Sequence, residues 1–256
     1  MRFIDTHSHI YLDAFNSDRP ETILRAADAG VKKIYLPNID SRSVDKMNSL
    51  ADEYPELCYP MMGLHPTSVK NDFRKELLII DQQLEKGIYH GVGETGIDLY
   101  WDETYKEQQA ISFRHHLELA LKFDLPVVIH CRESYSEVIT IVNEYAGREL
   151  RGIFHAFSGN TEQASEVIAL GFKIGIGGVV TYKKSGLAEV VKKIGPDNIV
   201  LETDAPFLPP VPKRGMRNEP SYLHYIAQKV ALILDVSTEE IAEITTKNAE
   251  LLFSAK

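Results

Sequence analysis

Short apolar runs rich in β-branched residues alternate with longer amphipathic segments from one end of the chain to the other. Apolar runs of about four to eight residues predict strands, and apolar positions recurring three and four residues apart predict helices. On that basis strands begin near Arg2, Val31, Leu57, Tyr89, Pro126, Arg151, Phe172 and Asn198, and a helical pattern follows each of them. Eight repeats of strand then helix predict a closed parallel (β/α)8 barrel, the TIM barrel of the α/β class. Gly30, Gly147, Gly171 and Gly195 stand where left-handed helix caps are expected. One additional C-terminal helix starts near Ser237, which has capping-box spacing to Glu240 ahead of Ile241, Ile244 and Leu251, and is expected to pack outside the barrel. An open doubly wound sheet is the alternative, but no Gly-rich phosphate loop follows the first strand.

Composition narrows the setting. The 256 residues are 44% hydrophobic and 25% charged, enough for a large core, and no Ser/Gly linker or low-complexity stretch divides them. Residues 1–256 therefore read as one barrel domain. A net charge of -9 argues against a passive nucleic-acid coat. It leaves room for an enzyme in which cations and a local basic patch attract a polyanion. Cys58 and Cys131 are too few for a disulfide framework and fit a reducing compartment. With no signal-like opening and no apolar run of bilayer length, a cytoplasmic protein without a membrane partner or an evident obligate protein partner is expected.

The polar residues that end the strands carry the chemistry. In Asp5-Thr6-His7-Ser8-His9, alternation along a strand turns His7 and His9 to one face, the barrel interior. Glu94, His130 and His155 each end an apolar run, and Asp204 follows another. Buried without partners, such groups would cost about 1 to 3 kcal/mol each, and cations remove that cost. Six ligands suit two divalent metal ions sharing a bridge. Glu94 is the expected bridge, between His7/His9 and His130/His155. Asp204 completes the His7/His9 ion and accepts a proton from the attacking water. Four imidazoles favour Zn, Mn, Ni or Co, whereas Mg prefers oxygen shells; Mg, Mn and Zn all stay open.

The segments His7-Ser8-His9, Gly93-Glu94-Thr95-Gly96-Ile97-Asp98, His130-Cys131-Arg132, His155-Ala156-Phe157-Ser158-Gly159 and the run Glu202 through Pro220 resemble the TatD-type metal-dependent deoxyribonucleases of the amidohydrolase superfamily. The resemblance covers essentially the whole chain. It implies a TIM barrel with two divalent ions that hydrolyses DNA phosphodiesters, often from the 3′ end and on single strands. It also implies that Glu94 takes the place a carbamylated lysine fills in many relatives. His116 departs from the pattern: on the helix of Gln109 and Phe113, the family more usually carries Gln.

Further residues extend the expected site. Glu202 shares the facing of Asp204 and is read as a proton-handling or orienting carboxylate. Arg132 is placed to grip a phosphate, and His65 to touch the scissile group. Lys213, Arg214 and Arg217 form a basic stretch in the loop after the last strand, a common place for phosphate recognition in barrels. Phe157, Phe207 and Tyr182 are candidates for base stacking, and Cys131 reads as a buried thiol. A two-metal hydrolase of small amides, lactones or aminoacyl esters is the rival activity, and the basic loop weighs against it. A non-catalytic metal-binding scaffold would need blocked coordination positions, for which the sequence offers no ligand.

Overall fold

The computed structural model describes residues 1–254. Eight strands follow the predicted order: β1 (Phe3–Asp5), β2 (Val31–Pro37), β3 (Cys58–Met61), β4 (Val92–Asp98), β5 (Val127–Arg132), β6 (Gly152–Phe154), β7 (Phe172–Ile176) and β8 (Ile199–Leu201). Each begins within three residues of its expected start. The helices between them are α1 (Arg19–Asp28), α2 (Val44–Glu53), α3 (Phe73–Leu84), α4 (Lys106–Phe123), α5 (Tyr135–Asn143), α6 (Thr161–Ala169) and α7 (Leu187–Ile194); α8 (Leu223–Leu234) and α9 (Thr238–Phe253) follow β8.

All pairings between neighbouring strands are parallel, in one run from β1 to β3 and another from β4 to β8. Backbone hydrogen bonds join the two runs at both seams. At one, Met62 N–H donates to the Gly91 carbonyl and Gly93 N–H to that of Met62; at the other, Thr6 N–H donates to Leu201 and Asp204 N–H to His7. The eight strands thereby form the barrel.

Two apolar layers follow from strand alternation. Phe3, Ile34, Val92, Ile129, Phe154, Ile174 and Leu201 face the helices, whereas Ile4, Tyr35, Met61, Val128, Ile153 and Val200 fill the interior. Ala249 and Leu252 of α9 belong to the interior cluster, and Phe253 stacks on Tyr35 with ring centroids 3.7 Å apart. Asn248 donates to the carbonyls of Pro196 and Ile199, and Thr246 to that of Arg2. The additional helix thus lies outside the strand ring, as expected, but across its N-terminal mouth, where it seals the core. Ser237 caps it by accepting from Glu240 N–H (3.1 Å).

The opposite mouth opens into a cavity of 570 Å³ lined by His9, His65, Glu94, Asp98, Trp101, His130, Arg132, His155, Asp204 and Phe207, among others. Every strand's C-terminal end points there, so the barrel core below is apolar and the polar residues gather above it.

Candidate metal centre

Two local breaks in strand regularity aim the polar residues inward. β1 stops at Asp5 and the chain bends at Thr6, so Ile4 below and His7 above both face the interior despite their odd spacing. A register shift between Val92 and Thr95 likewise lets Val92 pack toward the helices while Glu94 turns inward. Gly96 permits the close approach of β4 to β5, since a Cβ there would lie 2.0 Å from the His130 carbonyl oxygen.

Glu94 occupies the middle of the resulting cluster. Its Oε2 lies 3.1 Å from His7 Nε2 and 3.5 Å from His9 Nε2. Its Oε1 lies 2.8 Å from His130 Nδ1, 3.2 Å from His155 Nε2 and 3.3 Å from His65 Nε2. Asp204 Oδ1 faces the first set, 3.7 Å from His7 Nε2 and 3.6 Å from His9 Nε2. The six expected ligands are therefore brought together, with one carboxylate oxygen turned to each set.

Partners behind the imidazoles set which nitrogen faces inward. Tyr11 Oη donates to the Pro37 carbonyl (2.6 Å), so it accepts from His9 Nδ1–H (2.9 Å) and leaves the His9 Nε2 lone pair free. Asp98 Oδ2 lies 2.9 Å from His130 Nε2, which leaves Nδ1 for the site. Glu202 Oε1 lies 3.2 Å from His155 Nδ1 and accepts from Ala156 N–H (2.6 Å). Gly175 makes room for that carboxylate, since a Cβ would meet Glu202 Oε2 at 2.5 Å. Asp5 accepts from Thr203 N–H and Thr203 Oγ1–H, tying β1 to the segment that carries Asp204.

His65 differs from the other imidazoles. Its Nδ1 accepts from Thr67 N–H (3.1 Å), so a neutral ring carries its proton on Nε2 and donates toward Glu94. Although His65, Glu94 and His130 are close enough to hold an ion together, the Thr67 contact favours a hydrogen-bond donor at this position over a ligand.

Burying so many ionisable groups shifts them strongly. Burial would raise the Glu94 carboxyl, but His65, His155, His7 and the hydrogen bond from His130 hold it well below the usual carboxylate range. Burial and the neighbouring His155 push His7 well below the usual histidine range. For His155, burial is outweighed by Glu94 and Glu202, which hold it well above that range. Burial lifts Asp204 to about 6, against the pull of His155 and His9.

The donor set fits divalent ions. Ligand atoms about 2.1 Å from a tetrahedral ion are about 3.4 Å from one another; the distances from His7 Nε2 and His9 Nε2 to Glu94 Oε2 and to Asp204 Oδ1 run from 3.1 to 3.7 Å. His7 Nε2 and His9 Nε2 are 3.1 Å apart, close enough for both lone pairs to converge on one cation when each ring carries its proton on Nδ1.

The remaining expected residues are spread more widely. Arg132 lies at the pocket mouth with its guanidinium 3.8 Å from the centre of the Tyr100 ring. Phe207 is half exposed at the same mouth, whereas Phe157 is buried. The basic stretch does not line this pocket. Arg214 lies over Tyr182 (4.4 Å) and Lys213 over Tyr222 (5.2 Å). Arg217 makes a bidentate pair with Asp18, both contacts at 2.7 Å. Lys213 and Arg217 line a separate groove of 770 Å³ with Asp18, Arg25, Glu219 and Tyr222, where opposite charges pair with one another. Burial pushes the Cys131 thiol up to about 11, which keeps it protonated near neutral pH. Asp98 and Tyr11 contact the clustered imidazoles from positions that the strand-end pattern does not single out. Asp98 had a signal there, because its offset of four from Glu94 on one strand implies the same face.

Comparison with known proteins places this arrangement among relatives. A family model described as TatD related DNase matches residues 4–254. The uncharacterized metal-dependent hydrolase YabD of Bacillus subtilis is 36% identical over 250 residues, covering 97% of this chain and 98% of that protein. The 3′-5′ ssDNA/RNA exonuclease TatD of Erwinia tasmaniensis is 32% identical over 246 residues, covering 94% and 95%. Among solved structures, the TatD homologue YjjV of Escherichia coli superposes with a TM-score of 0.92 at 32% identity, covering 100% of this chain and 99% of that one.

Proposed function

The chain belongs to the TatD-related DNase family of metal-dependent hydrolases acting on ester bonds, and from that premise we propose that it cleaves DNA phosphodiesters from the 3′ end of single strands with two divalent ions. The observation that carries this reading is Glu94, whose two oxygens face two separate donor sets beneath an open cavity. His7, His9 and Asp204 would hold one ion, His130 and His155 the other, with Glu94 shared. Such ions, when bound, polarise a phosphoryl oxygen and lower the pKa of a water molecule.

The chain's own groups do the rest. Asp204, whose Oδ1 faces His7 and His9, would take a proton from water on its other oxygen. Glu202 and Asp98 hold the rings of His155 and His130 in place from behind. His65, with its proton on Nε2, would turn that N–H from Glu94 to a phosphate oxygen when substrate binds. Arg132 at the mouth pairs with phosphate, and Lys213 and Arg214 meet the strand beyond it, while Arg217 is held by Asp18 and shapes the loop.

The test is metal-stripped enzyme reloaded with Mn, Zn or Mg and assayed on single-stranded and duplex oligonucleotides and on a lactone and an amide. Hydrolysis of single strands in excess of all others is expected. Cleavage confined to the lactone or amide would replace the nuclease reading with the small-molecule one. Elemental analysis of loaded enzyme should find two ions per chain, and Glu94→Gln should lose both more readily than any other single ligand variant. A stoichiometry that never exceeds one under saturating metal refutes the two-ion centre.

A further inference from the structure

Trp101 is the single tryptophan of the chain, and it is 70% exposed. With the neighbouring Tyr100, 53% exposed, it forms an exposed aromatic patch of the kind that marks a binding surface. It lies in the loop between β4 and α4, at the mouth of the cavity that holds Glu94, His130 and Asp204. The centre itself fixes that loop. Asp98 presents Oδ2 to His130 Nε2 (2.9 Å), while its Oδ1 accepts from Tyr100 N–H (3.0 Å) and Trp101 N–H (3.4 Å). One carboxylate therefore orients an inward imidazole and the backbone that carries the indole. The ring is framed edge-on by Tyr100, with centroids 4.9 Å apart, and the Arg132 guanidinium lies 5.3 Å from its centre.

We propose that Trp101 is the stacking platform for the unpaired base beside the scissile phosphate, with Arg132 pairing the adjoining phosphate, and that it makes the enzyme select single strands. The inference rests on the phosphodiesterase reading above and deepens it. An indole face accepts any of the four bases, because each has a π-face. In a duplex both faces of a base are covered by its neighbours, so only a single strand or a frayed end can use the platform. The guanidinium beside the ring supplies positive charge where the backbone must pass. The Asp98 link holds base platform and imidazole in one register, which positions the scissile bond relative to the base.

The ring is its own reporter. In stopped-flow mixing of metal-loaded enzyme with a short oligo(dT), Trp101 emission is expected to quench saturably, and a strand of abasic deoxyribose phosphates of the same length should leave it unchanged. Wild-type enzyme should show a KM for oligo(dT) about 5- to 150-fold below that for the abasic strand, the range set by one stacked base. Trp101→Ala should bring that ratio close to one, and Trp101→Phe should restore most of it. A ratio unchanged in Trp101→Ala overturns the platform, and so does an equal rise in KM on both strands, which would mark the ring as a support for the loop. Enzyme that cleaves neither strand yet hydrolyses a lactone overturns the nuclease reading, and the platform with it.

Discussion

Leu64 N–H donates to His116 Nε2 (3.0 Å), and His116 Nδ1 sits 2.7 Å from the Ser112 carbonyl. Only a neutral ring with its proton on Nδ1 satisfies both contacts, because a second proton would face the Leu64 N–H. Burial accordingly pulls its pKa down to about 4. The unfolded chain, with an ordinary value near 6.5, takes up the proton first as pH falls. The stabilisation is thus complete above about pH 6.5, is lost as pH falls toward 4, and changes no further below it, a total of about 3 kcal/mol. His116→Gln keeps an acceptor and a donor but does not titrate. Urea unfolding at pH 7 and pH 4.5 should show a clearly smaller loss in the variant than in the parent, and equal losses would refute the assignment. The same reasoning separates the two carboxylates after β8. Asp204→Asn should abolish turnover with the melting temperature little changed, since an amide accepts no proton. Glu202→Gln keeps the size but weakens the hold on His155, and a loss of about 10- to 100-fold is expected; near-native rates in both under saturating metal would remove Asp204 from proton transfer. At this scale the six inward groups are legible in the sequence, Glu94, His130, His155 and Asp204 because each ends or follows an apolar run and His7 and His9 because their spacing gives them one facing. The tautomers are not, because Tyr11, Thr67 and Asp98 set them from positions whose contacts only the fold brings about.

The strands are equally legible as elements, because a parallel barrel strand buried on both faces is a short apolar run bounded by polar residues. What alternation alone misplaces is phase. Counting by twos from Ile4 would aim Thr6 and Ser8 inward, and the bend at Thr6 aims His7 instead. No propensity predicts a one-residue change of phase, which comes from closing β1 against β8. Helix α9 shows a similar limit, since its periodicity reveals an apolar face but not the barrel mouth that receives it. Leu252 is buried there far from the cavity. Leu252→Ala should cost about 3 kcal/mol in urea unfolding while kcat at room temperature stays at the parent value. A matching loss of kcat would mean that the sealed end communicates with the open one.

Across the whole molecule, the charge of -9 repels a polyanion at long range. Attraction has to come from the centre, from Arg132 at its mouth and from the basic stretch beyond it. The double variant Lys213→Ala/Arg214→Ala should therefore bind oligonucleotides more weakly and flatten the plot of log affinity against log salt, by about 0.7 for each single-strand phosphate no longer neutralised. Arg217→Ala should leave that slope alone and lower thermal stability, since its charge is already committed to Asp18. Equal slopes in parent and double variant would mark the loop as plain solvated surface. The two seams have a consequence of another kind. Thr203 donates to Asp5 across 198 residues of sequence, and the donors of the centre come from His7 at one extreme and Asp204 at the other. During synthesis the first histidines leave the ribosome long before Asp204 exists, so no chain that ends before Asp204 can gather the full set. A chain terminated before Asp204 should therefore be hydrolytically silent and hold metal more weakly than the full chain. Timing of activity is thereby written into the order in which the strands are made.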